Sequence, residues 1–150
     1  MVSKDRQVDD GDISKLRSRL TLLARRLRKE AQSDEVSWSR MLIVGLIDRM
    51  GGRVTPTMLS AAESMSSANV AALLRDLEAQ RLITRTPDEQ DRRKVWIALS
   101  DEGKNVLSQS RKTREKWLET AMQATLTADE QKQLLEASEL IERIALFDRG

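Results

Sequence analysis

The 150 residues predict a mainly α fold with a small β-hairpin, and three observations carry that prediction. Apolar residues recur at three- and four-residue steps through long stretches at both ends of the chain, which is a helical period. Between them lie two shorter apolar runs bounded by cap and turn signals. After these, two segments rich in β-branched and apolar residues, LITRT and KVWIAL, flank a polar loop, PDEQDRR, as a hairpin requires. Only two prolines and no low-complexity tract or repeat interrupt the chain, so residues 1–150 read as a single domain.

Composition narrows the chemistry. One third of the residues are charged and 39% are hydrophobic, enough apolar material for a core. Cysteine and histidine are both absent, which removes thiolate nucleophiles, disulfides, imidazole bases and nearly all transition-metal sites. No metal, no cofactor and no catalytic residue is therefore expected. No stretch approaches the ~20 apolar residues of a membrane span, and the first residues, MVSKDRQVDDGD, are polar where a secretory signal is apolar. A cytoplasmic protein without a membrane partner is the expectation. The net charge of +2 argues only weakly for a polyanionic partner.

The elements follow in order. From Ile13, Leu16, Leu20, Leu23, Ala24 and Leu27 make one face of a first helix, to about residue 31. Ser37 can cap a second helix through Met41, Leu42, Val44, Leu46 and Ile47, apolar on most sides and ending at Gly51-Gly52. Thr55-Pro56 opens a short third helix, since proline in the first turn forgoes an amide that no helical bond uses. Ser66 or Ser67 starts a fourth, with Val70, Leu73, Leu74 and Leu77 on its inner face. Val95, Ile97 and Leu99 share the inner side of the hairpin. Ser100, with Asp101 and Glu102 in the first turn, opens a long helix to about Ala124. Thr127 and Glu130 form a capping box for a last helix carrying Leu134, Leu135, Ala137, Leu140, Ile141, Ile144 and Leu146.

Two short, closely spaced helices, a basic-tipped hairpin and long amphipathic helices outside both describe a winged helix-turn-helix lobe, about 37–99, on a helical dimerisation frame, about 13–31 and 101–147. At LLRDLEAQRLITRTPDEQDRRKVWIALSDEG the chain resembles the multiple-antibiotic-resistance regulator (MarR) family of bacterial transcription factors. The leucine-spaced recognition helix, the first wing strand, the Asp-x-Arg wing signature (Asp91 and Arg93) and Leu99, Ser100 and Gly103 all follow in the family's order. The resemblance implies a homodimer that binds pseudo-palindromic operator DNA as a repressor and that a small effector releases. The chain departs from the family in two places, at Arg81 and at Ala71-Ala72. Arg81 replaces the usual glycine; a left-handed turn there costs arginine ~1 kcal/mol, which points to a different turn. Ala71 and Ala72 replace side chains that are often polar or basic.

A helix fits the major groove, so the outer side of residues 66–75 is the candidate reader. Asn69 can pair with adenine and Arg75 with guanine or a phosphate. The Ser66 and Ser67 hydroxyls and the helix N-terminal amides suit phosphate oxygens, and Ala68, Ala71 or Ala72 can meet a thymine methyl. The alternative is that this small-residue face packs against another helix. In the wing, Arg92 is placed at the tip, where it can enter a narrow minor groove, and Asp91 is expected to hold Arg93 by a charge-assisted hydrogen bond; the plain alternative is a solvated charge run with Lys94. Trp96 falls on the outer face of its strand, and Trp117 is assigned to the dimer core. Trp38 and Met41 fall near the family's effector cleft, where the resemblance implies a small aromatic or phenolic ligand, although core packing is the favoured account of both, as apolar helical residues usually are core. The rival to the whole reading is a helical protein–protein interaction module, which would show absent or salt-independent retention on DNA. Paired carboxylates such as Asp101 and Glu102 do not make a hydrolase, because adjacent helix positions diverge.

Overall fold

The computed structural model describes residues 8–31 and 36–148; the polar start of the chain, residues 1–7, lies outside them. The order of elements is α1 (Asp10–Ala31), α2 (Trp38–Arg49), β1 (Arg53–Val54), α3 (Pro56–Glu63), α4 (Ser67–Ala79), β2 (Ile83–Pro87), β3 (Val95–Leu99), α5 (Asp101–Thr125) and α6 (Ala128–Ala145).

The caps explain the boundaries. Thr55, Ser66, Ser100 and Thr127 each accept, through the side-chain hydroxyl, the amide N–H three residues on, satisfying a donor that has no helical partner. Ser37 stands at the N-cap of α2 without a side-chain bond. At the end of α2, Gly52 N–H donates to Ile47 O at 2.9 Å and Gly51 N–H to Asp48 O at 3.2 Å, with both glycines at positive φ. The end of α4 is built the same way: Leu82 N–H reaches Leu77 O and Arg81 N–H reaches Glu78 O, both at 2.9 Å. Arg81 sits at φ 60°, so the turn is left-handed after all and the expected alternative turn is not formed. Burial of Leu77 against Leu82 within the same motif holds arginine in a conformation that glycine adopts more cheaply.

The hairpin is part of a three-stranded antiparallel sheet in the order β1-β3-β2. Residues 53–54 pair with β3, Arg53 opposite Ala98; a two-residue strand carries too little alternation to be read from sequence. The β2–β3 register, Ile83 opposite Leu99 to Pro87 opposite Val95, moves the strands one residue from the expected segments and makes the loop 88–94. Pro87 is tolerated because it ends an outer strand.

The core lies in the lobe. Ile43, Val44 and Ile47 of α2 are fully buried with Leu59 of α3, Val70, Leu74 and Leu77 of α4, Val54 and Ile97 of the sheet, and Leu107 of α5 closes one side. The Gly103 N–H caps onto Ser100, and Ser100 N–H and Oγ donate to Leu82 O (3.0 Å) and Arg81 O (2.6 Å), which locks the start of α5 to the end of the recognition turn. Helix α1 packs along α5. In contrast, α6 has no buried residue, and Leu140, Ile144 and Phe147 are 55%, 65% and 74% exposed.

Candidate nucleic-acid interface

Helices α3 and α4 are joined by a turn through Ser64, at φ 51°, and Met65, followed by the Ser66 cap. This turn directs the N-terminal half of α4 outward. Ser66, Ser67, Ala68, Asn69, Ala72 and Arg75 are exposed, and Ala71 is half-buried at the margin. No described helix covers that face, which argues against the packing alternative. Ser66 Oγ accepts the Asn69 N–H at 3.1 Å, so it serves the cap first and keeps only its hydroxyl proton for a phosphate. The two acids of α4 are drawn to its flanks: Asp76 pairs with Arg40 of α2 at 3.1 Å and Glu78 with Arg85 of β2 at 2.6 Å. The outward face from Ser66 to Arg75 is thereby free of carboxylates.

The wing loop is tied internally. Asp91 Oδ1 accepts from Arg93 N at 3.0 Å and Arg93 Nε at 3.3 Å, and Asp88 accepts from the amides of Gln90 and Asp91 and from the Trp96 indole. The Trp96 hydrogen bond, followed by the Asp91 amide, holds the Asp88 carboxyl below the usual aspartate range. The carboxylates of Asp88 and Asp91 are engaged within the loop, Asp91 with Arg93 itself, while Arg92 and Arg93 are exposed. Trp96 is half-buried over the outer face of the sheet.

A concave surface of about 690 Å³ between α3 and the wing is lined by Thr55, Thr57, Met58, Arg85, Arg93 and Lys94, among others. It adds Arg85 and Lys94 to the basic groups near the wing. Arg85, which is paired with Glu78, was not singled out from sequence, because nothing in sequence placed the α3 N-terminus opposite it.

Of the two residues assigned to an effector cleft, Met41 is buried and lines a cavity of about 600 Å³ with Glu30, Ala31, Val36, Val106 and Ser110. Trp38 does not line it and instead lies under Arg28, 4.9 Å from guanidinium to ring. On another side of α5, Leu27, Arg49, Arg111, Arg114, Glu115 and Leu118 bound a second cavity of about 320 Å³. Burial, then the nearby Arg111, lowers the Arg114 guanidinium below its ordinary value. Arg111 is paired with Asp48 at 2.8 Å. Among the described residues no group of acidic side chains forms a metal site, and no helix is long and apolar enough to cross a membrane.

Comparison with known proteins decides the family. A model described as the MarR family matches residues 35–94, the lobe just described. The HTH-type transcriptional regulator YwhA of Bacillus subtilis (strain 168) is 32% identical over 119 residues, covering 75% of this chain and 84% of that protein. The chain belongs to the MarR family. This MarR-family regulator also matches a solved Pseudomonas aeruginosa PA01 chain described as a transcriptional regulator, at 45% identity and a TM-score of 0.83, covering 91% and 94% of the two chains. It shares its fold with a mutant MarR from E. coli complexed with operator DNA, at 19% identity and a TM-score of 0.62 over 89% and 95% of the chains. Membership in this family makes it a DNA-binding regulator, not an enzyme.

Proposed function

We propose that the protein works as a homodimeric repressor of the cytoplasm, one unit in which the lobe 37–99 reads a pseudo-palindromic operator and helices 13–31 and 101–147 form the dimer. The observation that carries this reading is the exposed α4 face beside an exposed arginine pair on an internally braced wing. Asn69 and Arg75 read base edges in the major groove, with Ala68, Ala71 and Ala72 against thymine methyls. Ser66 and Ser67 contact phosphates, and Arg92 enters the adjacent minor groove with Arg93 held to the backbone by Asp91. That a mutant MarR of the same fold from E. coli is complexed with operator DNA supports duplex DNA as the partner.

The exposed apolar stripe of α6, with Ile13, Leu16, Leu22 and Leu23 of α1, supports the dimer, because so much apolar surface is rarely left in water. Symmetric pairing sets two recognition helices about one helical turn, ~34 Å, apart. A small aromatic or phenolic effector entering the cleft beside Met41 alters that spacing and releases the DNA, with a coupling of ~1–3 kcal/mol. Selection of genomic fragments by the purified protein, followed by footprinting, tests the function. Paired half-sites one turn apart are expected. Fragments without sequence preference, or no retention at all, would favour the protein-interaction reading instead.

A further inference from the structure

The loop from Asp88 to Lys94 is long for a hairpin connection, and holding each of its residues costs ~1–2 kcal/mol of backbone entropy. A slack loop would meet that cost at the moment of binding and weaken it. In the structure an unbroken chain of hydrogen bonds runs from the sheet to the arginine. Trp96 Nε1, on β3, donates to Asp88 Oδ1 at 2.9 Å. The other oxygen of the same carboxylate accepts from Asp91 N at 2.9 Å and Gln90 N at 3.2 Å. Asp91 in turn binds the backbone and side chain of Arg93. Two backbone bonds, Asp88 N to Lys94 O and Lys94 N to Asp91 O, both 3.0 Å, close the loop. The indole is itself fixed: the Arg53 guanidinium lies 4.2 Å from its ring centroid and Lys94 Nζ 5.1 Å.

Resting on the reading of the wing as a DNA-binding element, we infer that Trp96, Asp88 and Arg53 are positioning residues that preset the wing loop in the shape that presents Arg92 and Arg93. Asp88 is the joint, with one oxygen on the sheet and the other on the loop. Arg53 and Lys94 keep the ring in the one orientation that aims its N–H at that joint. A tryptophan chosen only to cover the hairpin would need no donor, and phenylalanine would serve; here the polar edge of the indole is used.

Trp96→Phe keeps an aromatic face for Arg53 and Lys94 and deletes the donor. Titrated with mixed-sequence duplex DNA, this variant should bind about five- to tenfold more weakly. Its salt dependence should be shallower by about one phosphate contact, ~0.9 in the log–log slope. Its melting temperature should stay close to wild type, a combination that a merely structural residue would not give. Hydrogen exchange at the Gln90 and Asp91 amides should accelerate. Asp88→Asn, whose single carbonyl oxygen can accept from the indole or from the two loop amides but not from both sides, should reproduce the effect and covers the case in which Trp96→Phe fails to fold. In an Arg92→Ala/Arg93→Ala background, Trp96→Phe should add less than about twofold. Wild-type affinity and amide protection in Trp96→Phe, with the double-arginine variant weakened, would overturn the positioning device alone. A double-arginine variant that binds as wild type would bring down the wing reading itself.

Discussion

Gly103 lies in the first turn of α5, where its amide caps onto Ser100 and its α-carbon faces the backbone of Leu82. A Cβ built there comes within 2.0 Å of Leu82 O and 3.0 Å of the carbonyl carbon, both rigid backbone atoms, whereas real Cβ contacts essentially never fall under 3.0 Å. Gly103→Ala therefore forces α5 and the start of β2 apart by about 1 Å. That movement stretches the Ser100 bonds to Leu82 O and Arg81 O, each worth ~1 kcal/mol. Added to an overpacking cost of ~1–3 kcal/mol and set against the ~1 kcal/mol that alanine normally gains over glycine in a helix, the net loss is ~3 kcal/mol. For a chain of this size that lowers the melting temperature by about 6–12 °C. Far-ultraviolet circular dichroism at one protein concentration reads it. Gly45→Ala is the control, because its Cβ would meet Arg49 Nη1 at 3.6 Å and Leu107 Cδ1 at 3.9 Å, ordinary contacts, and it should be stabilised by ~0.5–1 kcal/mol. A Gly103→Ala variant melting at or above wild type, alongside Gly45→Ala, would refute the steric argument.

Three further outcomes are expected. Arg81→Gly relieves a left-handed arginine at φ 60° and should raise the urea midpoint by an amount equivalent to ~0.5–1 kcal/mol. Leu140→Glu with Ile144→Glu charges the exposed stripe of α6; light scattering should show single chains that keep their helical spectrum but lose duplex binding by more than about tenfold. Asp88, whose folded value lies below the ordinary one, adds stability above the unfolded aspartate range and loses it as pH falls through the folded value. Exchange protection of the Gln90 and Asp91 amides should thus hold from neutral to mildly acidic pH, and a loss already at about pH 6 would contradict the assignment.

Much of this architecture was legible because it rests on local chemistry. Thr55-Pro56, Ser100 and Thr127 mark helix starts whose hydroxyl caps form, the Thr127 one without the reciprocal Glu130 half of the expected box, and the period of α4 separates Val70, Leu74 and Leu77 from Asn69 and Arg75 without reference to the fold. What sequence could not supply depends on approach between distant segments. Strand β1 exists only because β3 offers it an edge. The left-handed Arg81 follows from burial of Leu77 and Leu82, which overrides the residue's own preference. The Leu-Ser-x-x-Gly pattern gains its reason only when Gly103 is seen against Leu82. Trp96 could be placed outside its strand by alternation, but its bond to Asp88 across the loop, and the parting of Trp38 from the cavity that Met41 lines, needed coordinates.

The central claim, that α4 and the wing grip duplex DNA through its phosphates and grooves, is tested most directly by the affinity for a selected genomic duplex measured across salt concentrations for wild type and Arg92→Ala. The account predicts a linear fall of log affinity with log salt, and for Arg92→Ala a loss of ~1–3 kcal/mol with a slope shallower by ~0.9. Binding that ignores salt, or a folded Arg92→Ala variant indistinguishable from wild type, would contradict it.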